Sequence, residues 1–136
     1  MATRTALNIV QEYYQCFNNK DWNGMLALVD DSIRHEPNEG EVRIGKLLFK
    51  EFLHKLDTSY EEKLSDIVFF TEPSGKRIAA EFTVNGAYKK GDNGLPEAHG
   101  QTYNLQAGAF LEVANDKIIR ITTYYNLSKW LVMVSE

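Results

Sequence analysis

Hydrophobic and polar positions divide the chain into a helical first half and a β-rich second half. Three segments of the first half carry apolar residues at helical spacing, which predicts helices over 3–18, 22–29 and 46–59. From residue 61 onward apolar and polar residues alternate, and turn-forming residues separate the runs, which predicts four strands. The predicted strands cover 63–72, 77–90, 100–113 and 118–125.

Gly86 and Gly108 each stand in the middle of a long predicted strand, where glycine often marks a bulge or a sharp bend. A sheet bent in the middle wraps around the helices, and helices followed by an antiparallel meander are typical of the α+β class. We therefore predict a single domain over 1–136, a cone-shaped barrel of three N-terminal helices packed on a strongly bent, mostly antiparallel sheet. The apolar tail, 127–134, fits either a helix or an extended segment.

Composition and charge narrow the class of protein. The chain has 136 residues, of which 43% are hydrophobic and 25% are charged, as is typical of a globular domain. No apolar run is long enough to span a bilayer, the N-terminus lacks signal-peptide features, and Cys16 has no second cysteine to pair with. These features predict a cytoplasmic protein with no membrane partner. The net charge of −4, without a basic block, argues against nucleic acid as a partner.

The densest group of reactive side chains precedes the third helix. His35, Glu36 and Asn38 lie close together in sequence, and Pro37 and Gly40 close the segment. An imidazole can act as base or acid near neutral pH, and a carboxylate in an apolar cavity has its pKa raised toward that range. Both side chains are therefore candidate catalytic bases. Because side chains alternate along a strand, only one of the two faces the interior unless the strand is bulged, and the sequence leaves open which one.

Tyrosines are the second source of candidate site residues, since aromatic residues make up 12% of the chain and seven of them are tyrosines. Tyr13 and Tyr14 lie on the core side of the first helix, and at least one of them is expected to fill the core. The functional alternative is a phenol that donates a hydrogen bond to a developing enolate, and the sequence leaves open which residue has which role. The late strands carry further aromatic and amide side chains that suit a flat hydrophobic ligand with one or two oxygen atoms. The predicted ligand-binding residues are Tyr14, Asn38, Tyr88, Tyr103, Phe110, Tyr125, Asn126 and Trp130, with a capping role for Asn126 as the alternative.

The sequence carries no motif for a metal or a phosphate. No two histidines have the spacing of a metal-binding pair, and Cys16 is far from them in sequence. There is no glycine-rich phosphate loop and no nucleophile elbow. We therefore predict neither a metal site nor a cofactor.

The order of elements, together with several short stretches, resembles the nuclear-transport-factor-2-like superfamily. Within it the chain is most similar to the ketosteroid-isomerase-related, SnoaL-like proteins. The resemblance covers nearly the whole chain, and it implies a pocket at the wide end of the cone and a homodimer packed through the outer face of the sheet. The stretches are 30–37 (DDSIRHEP), 35–40 (HEPNEG), 98–103 (AHGQTY), 108–110 (GAF) and 124–130 (YYNLSKW).

Steroid isomerases of this fold use a carboxylate base before a proline, a tyrosine on helix one and a protonated aspartic acid on a long strand. The resemblance places Glu36 at the base position and Tyr13, or alternatively Tyr14, at the tyrosine position. The acid position falls near Ala109, which has no proton to donate. The resemblance thus implies a cofactor-free isomerase or cyclase that moves a proton on a small hydrophobic carbonyl compound, with His35 or Glu36 as the base. The alternative is a non-catalytic ligand-binding or dimerisation domain.

Overall fold

The computed structural model describes residues 5–38 and 40–135, and it consists of four helices packed on a six-stranded sheet. The predicted α+β class is therefore confirmed, and the apolar tail forms a fourth helix. The helices are α1 (Ala6–Asn18), α2 (Trp22–Leu28), α3 (Lys46–Ser59) and α4 (Leu127–Val134). The strands are β1 (Val29–Glu36), β2 (Arg43–Ile44), β3 (Tyr60–Thr71), β4 (Arg77–Tyr88), β5 (Gln101–Ala114) and β6 (Lys117–Tyr125).

Side-chain hydrogen bonds cap the N-termini of α1, α2 and α4. The Thr5 hydroxyl accepts a hydrogen bond from the backbone N–H of Asn8 at 3.0 Å, so α1 begins at Ala6; the part of the predicted helix before residue 5 lies outside the described residues. Asp21 caps α2 in the same way. Such caps satisfy backbone donors that have no partner within the helix.

The sheet is mixed and open, with strand order β2-β1-β6-β5-β4-β3. Four of its five neighbouring pairs are antiparallel, as predicted, whereas β1 and β6 run parallel. The short β2 and the long β3 form the two edges, so the sheet wraps the helices as a cone without closing into a barrel. Strand β2 was absent from the prediction because two residues carry no readable alternation.

The bulge in the long strands does not lie at either glycine. Pairing between β4 and β5 is continuous from Arg77 to Tyr88, through Gly86 and opposite Gly108. The register shifts instead within β3, around Asp66, which has a left-handed φ of 52°, and near the end of β5, between Glu112 and Val113. Of the two predicted alternatives at the glycines, the bulge is therefore wrong and the bend stays a prediction; Gly86 also has a role described below.

The core lies between the inner face of the sheet and the helices, and we call this space the cone interior. Residues alternate along each strand, so every second side chain of β4 and β5 is buried there. The largest fully buried side chains include Tyr88, Phe49 and Met25. Among the described residues, no helix is both long and apolar enough to cross a membrane.

Candidate functional site

Strand β1 sends His35 into the cone interior and Glu36 to the outer face of the sheet. His35 pairs with the buried Ile121 of β6 and is only 3% exposed, whereas Glu36 pairs with Thr122 on the opposite face. The register irregularity of β1 lies between Val29 and Arg34, before both residues, so it does not turn them to the same side. Of the two candidate bases, His35 is therefore the one that faces the cone interior.

His35 sits in an aromatic surrounding with an unsatisfied nitrogen. Its ring meets the rings of Phe49 and Phe52 of α3 at centroid distances of 5.1 and 4.4 Å. Its buried Nδ1 has no hydrogen-bond partner among the described residues. Burial, and secondly the positive charge of Arg43, lower the pKa of His35 from 6.5 to about 4. The imidazole is therefore neutral at physiological pH and can accept a proton.

Glu36 belongs to a polar network on the outer face. Its carboxylate accepts hydrogen bonds from the Thr122 hydroxyl and from Arg34 Nε, the latter at 2.8 Å, and it lies 3.9 Å from Arg120. The bond from Thr122, followed by the bond from Arg34, lowers the pKa of Glu36 below its ordinary value. Because its carboxylate is aimed away from the interior, Glu36 is poorly placed for the base role that the resemblance assigns to it.

The two tyrosines of α1 are both buried in the cone interior. Their rings meet edge to face at 5.0 Å, and Tyr14 also packs against Phe69 and Phe82. Burial raises the pKa of each phenol, so both remain protonated and can donate. The contacts of Tyr14 with β3 and β4 make it the core-filling member, which leaves Tyr13 as the better candidate donor.

An aromatic cluster fills the interior beneath α4. Trp130 lies at its centre, with ring centroids 5.1 Å from Tyr88, 5.8 Å from Tyr103 and 6.1 Å from Tyr60. Three of these four residues were predicted ligand-binding residues, and the structure brings them together. Tyr60 was not predicted, because it falls at the helix-to-strand junction after α3.

A partly buried polar pair, not predicted from the sequence, lies beside this cluster. The Tyr103 hydroxyl donates a hydrogen bond to Glu62 at 2.5 Å, and we call these residues the Glu62–Tyr103 pair. Burial raises the pKa of Glu62, while the bond from Tyr103 opposes this. A signal was present, because Glu62 is two residues from the apolar Leu64 and therefore on the same face of β3.

The remaining predicted residues near β6 have structural contacts. Asn38 accepts a hydrogen bond from the backbone N–H of Tyr125 at 3.0 Å, which joins the ends of β1 and β6. Tyr125 is partly buried and packs against the hydrophobic core. Asn126 caps α4 through the N–H of Lys129, as its alternative interpretation proposed.

Phe110 lies on the outer face and does not line the cone interior. It is flanked in sequence by Ala109 and Leu111, which are buried, so alternation turns Phe110 outward. Two shallow cavities of about 380 and 460 Å³ lie on this same face, both lined in part by Phe110 and Phe70. The cone interior is occupied by a continuous cluster of buried side chains.

A loop, residues 89–100, is fastened across the end of the cone by Asp92. The Asp92 carboxylate accepts a hydrogen bond from the Tyr60 hydroxyl at 3.1 Å and pairs with Lys55 at 2.7 Å. Its backbone N–H donates to the Tyr88 hydroxyl, which in turn donates to the carbonyl of Pro96. The same tyrosines thus belong to both the aromatic cluster and the loop anchor.

Within the described part of the chain, no group of three or more His, Cys, Asp and Glu side chains is placed to hold a metal ion. The site is instead an aromatic interior with two polar groups, His35 and the Glu62–Tyr103 pair. The two have different neighbours, since His35 contacts α3 and Tyr103 contacts α4.

Comparison with known proteins gives the family. The profile of the SnoaL-like domain matches residues 10–121. A solved structure from Pseudomonas putida KT2440 is 45% identical, with 97% of this chain and 99% of that chain covered and a TM-score of 0.95. Structures from Xanthomonas campestris pv. campestris (44% identity, 94% and 95% coverage, TM-score 0.90) and Silicibacter sp. TM1040 (42% identity, 100% and 99% coverage, TM-score 0.95) are similar to it as well.

These three solved proteins each bear the name "putative polyketide cyclase". No curated protein matches the chain. The matched profile spans most of the sequence, and the fold agrees with a further NTF2-like protein from Burkholderia pseudomallei at a TM-score of 0.82. Because the profile matches well over half of the chain, the chain belongs to the SnoaL-like family of NTF2-like proteins.

Proposed function

We propose that the protein is a cofactor-free cyclase or isomerase that transfers a proton on a flat, hydrophobic carbonyl compound of the polyketide kind, bound in the cone interior. The observation that carries this proposal is His35, a buried imidazole with an unpartnered Nδ1 among aromatic rings. Buried polar atoms are normally hydrogen-bonded, so an orphan nitrogen in an aromatic surrounding is a reason to expect a ligand there. The names of the 42–45% identical relatives support the substrate class.

In the proposed reaction neutral His35 removes a proton from the carbon next to a carbonyl. The electron pair of the broken C–H bond forms the enolate, whose oxygen accepts a hydrogen bond from the Tyr13 hydroxyl. In a cyclisation the enolate carbon then bonds to a second carbonyl carbon, and the resulting alkoxide takes the proton back from the imidazolium. Because the low pKa of His35 disfavours the imidazolium, the base is restored readily.

A ligand reaches the interior only if part of the present packing moves. The cluster around Trp130 fills the interior, and Asp92 fastens loop 89–100 across it. We propose that this loop opens and that the aromatic side chains part around the ligand. The filled interior also favours a second candidate, a non-catalytic domain of this fold that binds a ligand weakly or serves assembly.

The outer face supports a proposal about the partner. Val68, Phe70, Phe110 and Tyr124 are about half exposed and together form what we call the outer apolar patch. The ring centroids of Phe110 on β5 and Tyr124 on β6 lie 5.9 Å apart. A contiguous exposed apolar patch is typical of an interaction surface, and we propose that a second copy of the chain covers it.

Two neighbouring residues allow a matched test of the proposed chemistry. Wild-type protein, His35→Gln and Glu36→Gln are incubated with a panel of flat diketones, and products are quantified by chromatography and mass spectrometry. We expect His35→Gln to lower turnover by about 10²- to 10⁴-fold, as loss of a general base does, and Glu36→Gln to retain it within about twofold.

The same panel distinguishes the two candidates when observed by NMR of the His35 ring. If no compound turns over but the His35 resonance shifts on saturable binding, the protein is a binding domain. Equal turnover by wild type and His35→Gln would contradict the base role.

A further inference from the structure

The Glu62–Tyr103 pair is built across three strands of the sheet. Glu62 of β3 is paired in register with Gly86 of β4, and Gly86 is paired with Tyr103 of β5. A Cβ on Gly86 would lie 2.4 Å from Cζ of Tyr103 and 2.6 Å from its hydroxyl oxygen. The missing side chain of Gly86 therefore lets the Tyr103 ring lie flat over β4 and reach the Glu62 carboxyl group.

The charges around the pair are few. Burial raises the pKa of Glu62 overall, while the hydrogen bond from Tyr103 and the charge of Lys20, in the turn after α1, oppose this rise. Burial, followed by the neighbouring Glu62 and Tyr60, raises the pKa of the Tyr103 phenol, so this phenol stays protonated. A carboxyl group enclosed in this way tends to keep its proton.

The geometry points to a second oxygen-binding subsite, in which Tyr103, positioned by Glu62, binds an acidic enol or phenol oxygen of the ligand. When Glu62 holds a proton it can donate to the Tyr103 oxygen, which frees the Tyr103 O–H to donate to the ligand. The Trp130 ring packs edge to face on the Tyr103 ring, with centroids 5.8 Å apart, and holds the phenol in place.

This inference rests on the proposed function in one respect, namely that the cone interior receives a flat ligand. It extends that function by defining the substrate class: an aromatic compound with one oxygen near His35 and an acidic hydroxyl at the other polar group. His35 touches Phe52 of α3, whereas Tyr103 touches Trp130 of α4, so the two subsites select different parts of one ligand.

The test compares an oxyanion with the same molecule lacking it. The probes are 2,4-dinitro-1-naphtholate, which is ionised throughout the neutral range, and its methyl ether. Binding is measured by calorimetry for wild type, Tyr103→Phe, Glu62→Gln and the control Glu61→Gln, whose side chain lies on the opposite face of β3. We expect Tyr103→Phe to weaken naphtholate binding about 10- to 100-fold, as loss of a hydrogen bond to a charged group does, and to leave the ether unchanged.

The pH profile separates positioning by Glu62 from a merely structural role. Wild-type affinity for the naphtholate should fall as pH rises and Glu62 loses its proton, since a carboxylate repels the anion and withdraws the Tyr103 donor. Glu62→Gln keeps a neutral donor at this position, so it should retain binding and lose the pH dependence. Glu61→Gln should behave as wild type.

Several outcomes overturn the subsite. It is wrong if wild type binds neither probe, binds the ether as tightly as the naphtholate, or binds the naphtholate equally well after Tyr103→Phe in a variant shown to be folded by circular dichroism. It is also wrong if Glu62→Gln keeps the wild-type pH profile. Failure of the proposed chemistry appears elsewhere, as unchanged turnover in His35→Gln, so the two failures are distinguishable.

Discussion

Adjacent residues of one strand lie in opposite environments when one faces the inside of the sheet and the other faces the outside. Glu61 and Glu62 are adjacent on β3, yet Glu61 is exposed and paired with Lys20 and Lys89, so its pKa is lowered, whereas burial raises that of Glu62. On β1, His35 loses solvent and becomes neutral, whereas Glu36 gains hydrogen bonds and stays ionised. The face a residue occupies, more than its type, decides what chemistry it can do.

The comparison also separates two kinds of surface. The inner face gathers aromatic rings and isolated polar groups, which suits the recognition of one small molecule. The outer face carries an ion network around Glu36 and, beside it, the outer apolar patch. Such a mixed surface suits contact with another protein surface. Substitutions on each face test whether the inner face serves a small molecule and the outer face serves a protein partner.

The largest expected effect is a pH dependence of stability caused by His35. Its pKa is 6.5 when unfolded and about 4 when folded, so between these values the unfolded state binds a proton that the folded state does not. The contribution of His35 to the free energy of unfolding should therefore fall by roughly 3 kcal/mol as pH decreases from about 6.5 to about 4. The raised pKa of Glu62 acts in the opposite direction and offsets part of this loss. Urea unfolding at a series of pH values measures this loss.

Two variants assign that pH dependence to the inner face. His35→Gln should lack the loss between about pH 6.5 and 4, because no imidazole remains to be protonated. Glu36→Gln should keep it, because the lowered pKa of Glu36 makes its own contribution disappear only below its ordinary value of 4.5. If His35→Gln and wild type lose the same free energy, another group is responsible.

The next effect concerns the outer apolar patch. Phe110→Asp places a charge at its centre, where an interface would have to bury it, and we expect the dissociation constant of the homodimer to rise by at least about 30-fold. Val132→Asp is the matched control, since Val132 is an exposed apolar residue of α4 away from the patch. Sedimentation equilibrium measures both; a monomeric wild type, or a dimer unaffected by Phe110→Asp, contradicts the proposed interface.

A smaller effect is expected at Gly86 on the inner face. Gly86→Ala places a methyl group against the Tyr103 ring and should lower the free energy of unfolding by about 1–2 kcal/mol through overpacking. The same substitution in a Tyr103→Leu background should cost much less, because the ring that causes the clash is absent. Thermal and urea unfolding of the four proteins give this cycle, and equal costs in both backgrounds would show that Tyr103 is not the obstacle.

Much of the fold was predictable because periodicity is a local property. Helical spacing placed α3 at 46–59, and alternation placed β4 and β5 within two residues of their observed ends. The parallel pairing of β1 with β6 was not predictable, since neither strand's own pattern states which partner lies beside it. A two-residue edge strand such as β2 is too short to show any period.

The sequence was sufficient to predict which segment carries the candidate site, but not which face of the sheet each of its side chains occupies. The sequence identified His35 and Glu36 together, and only the register of β1 against β6 separates them. The Glu62–Tyr103 pair depends on three strands and on the missing side chain of Gly86, so no single motif carries it. Phe110 was assigned to the ligand although the alternation of β5, read strictly, already turned it outward.

The parallel pairing of β1 and β6 has a consequence for how the chain folds. Glu36 and its hydrogen-bond partner Thr122 are separated by 86 positions, so the strand that carries His35 is synthesised long before its neighbour in the sheet. Until β6 emerges from the ribosome, β1 has only the two residues of β2 beside it. Contacts of this sequence separation form late and slowly, because the intervening chain must first be ordered. We therefore expect His35 to reach its buried position late in folding, after the β3–β4–β5 meander has formed its mostly local pairs.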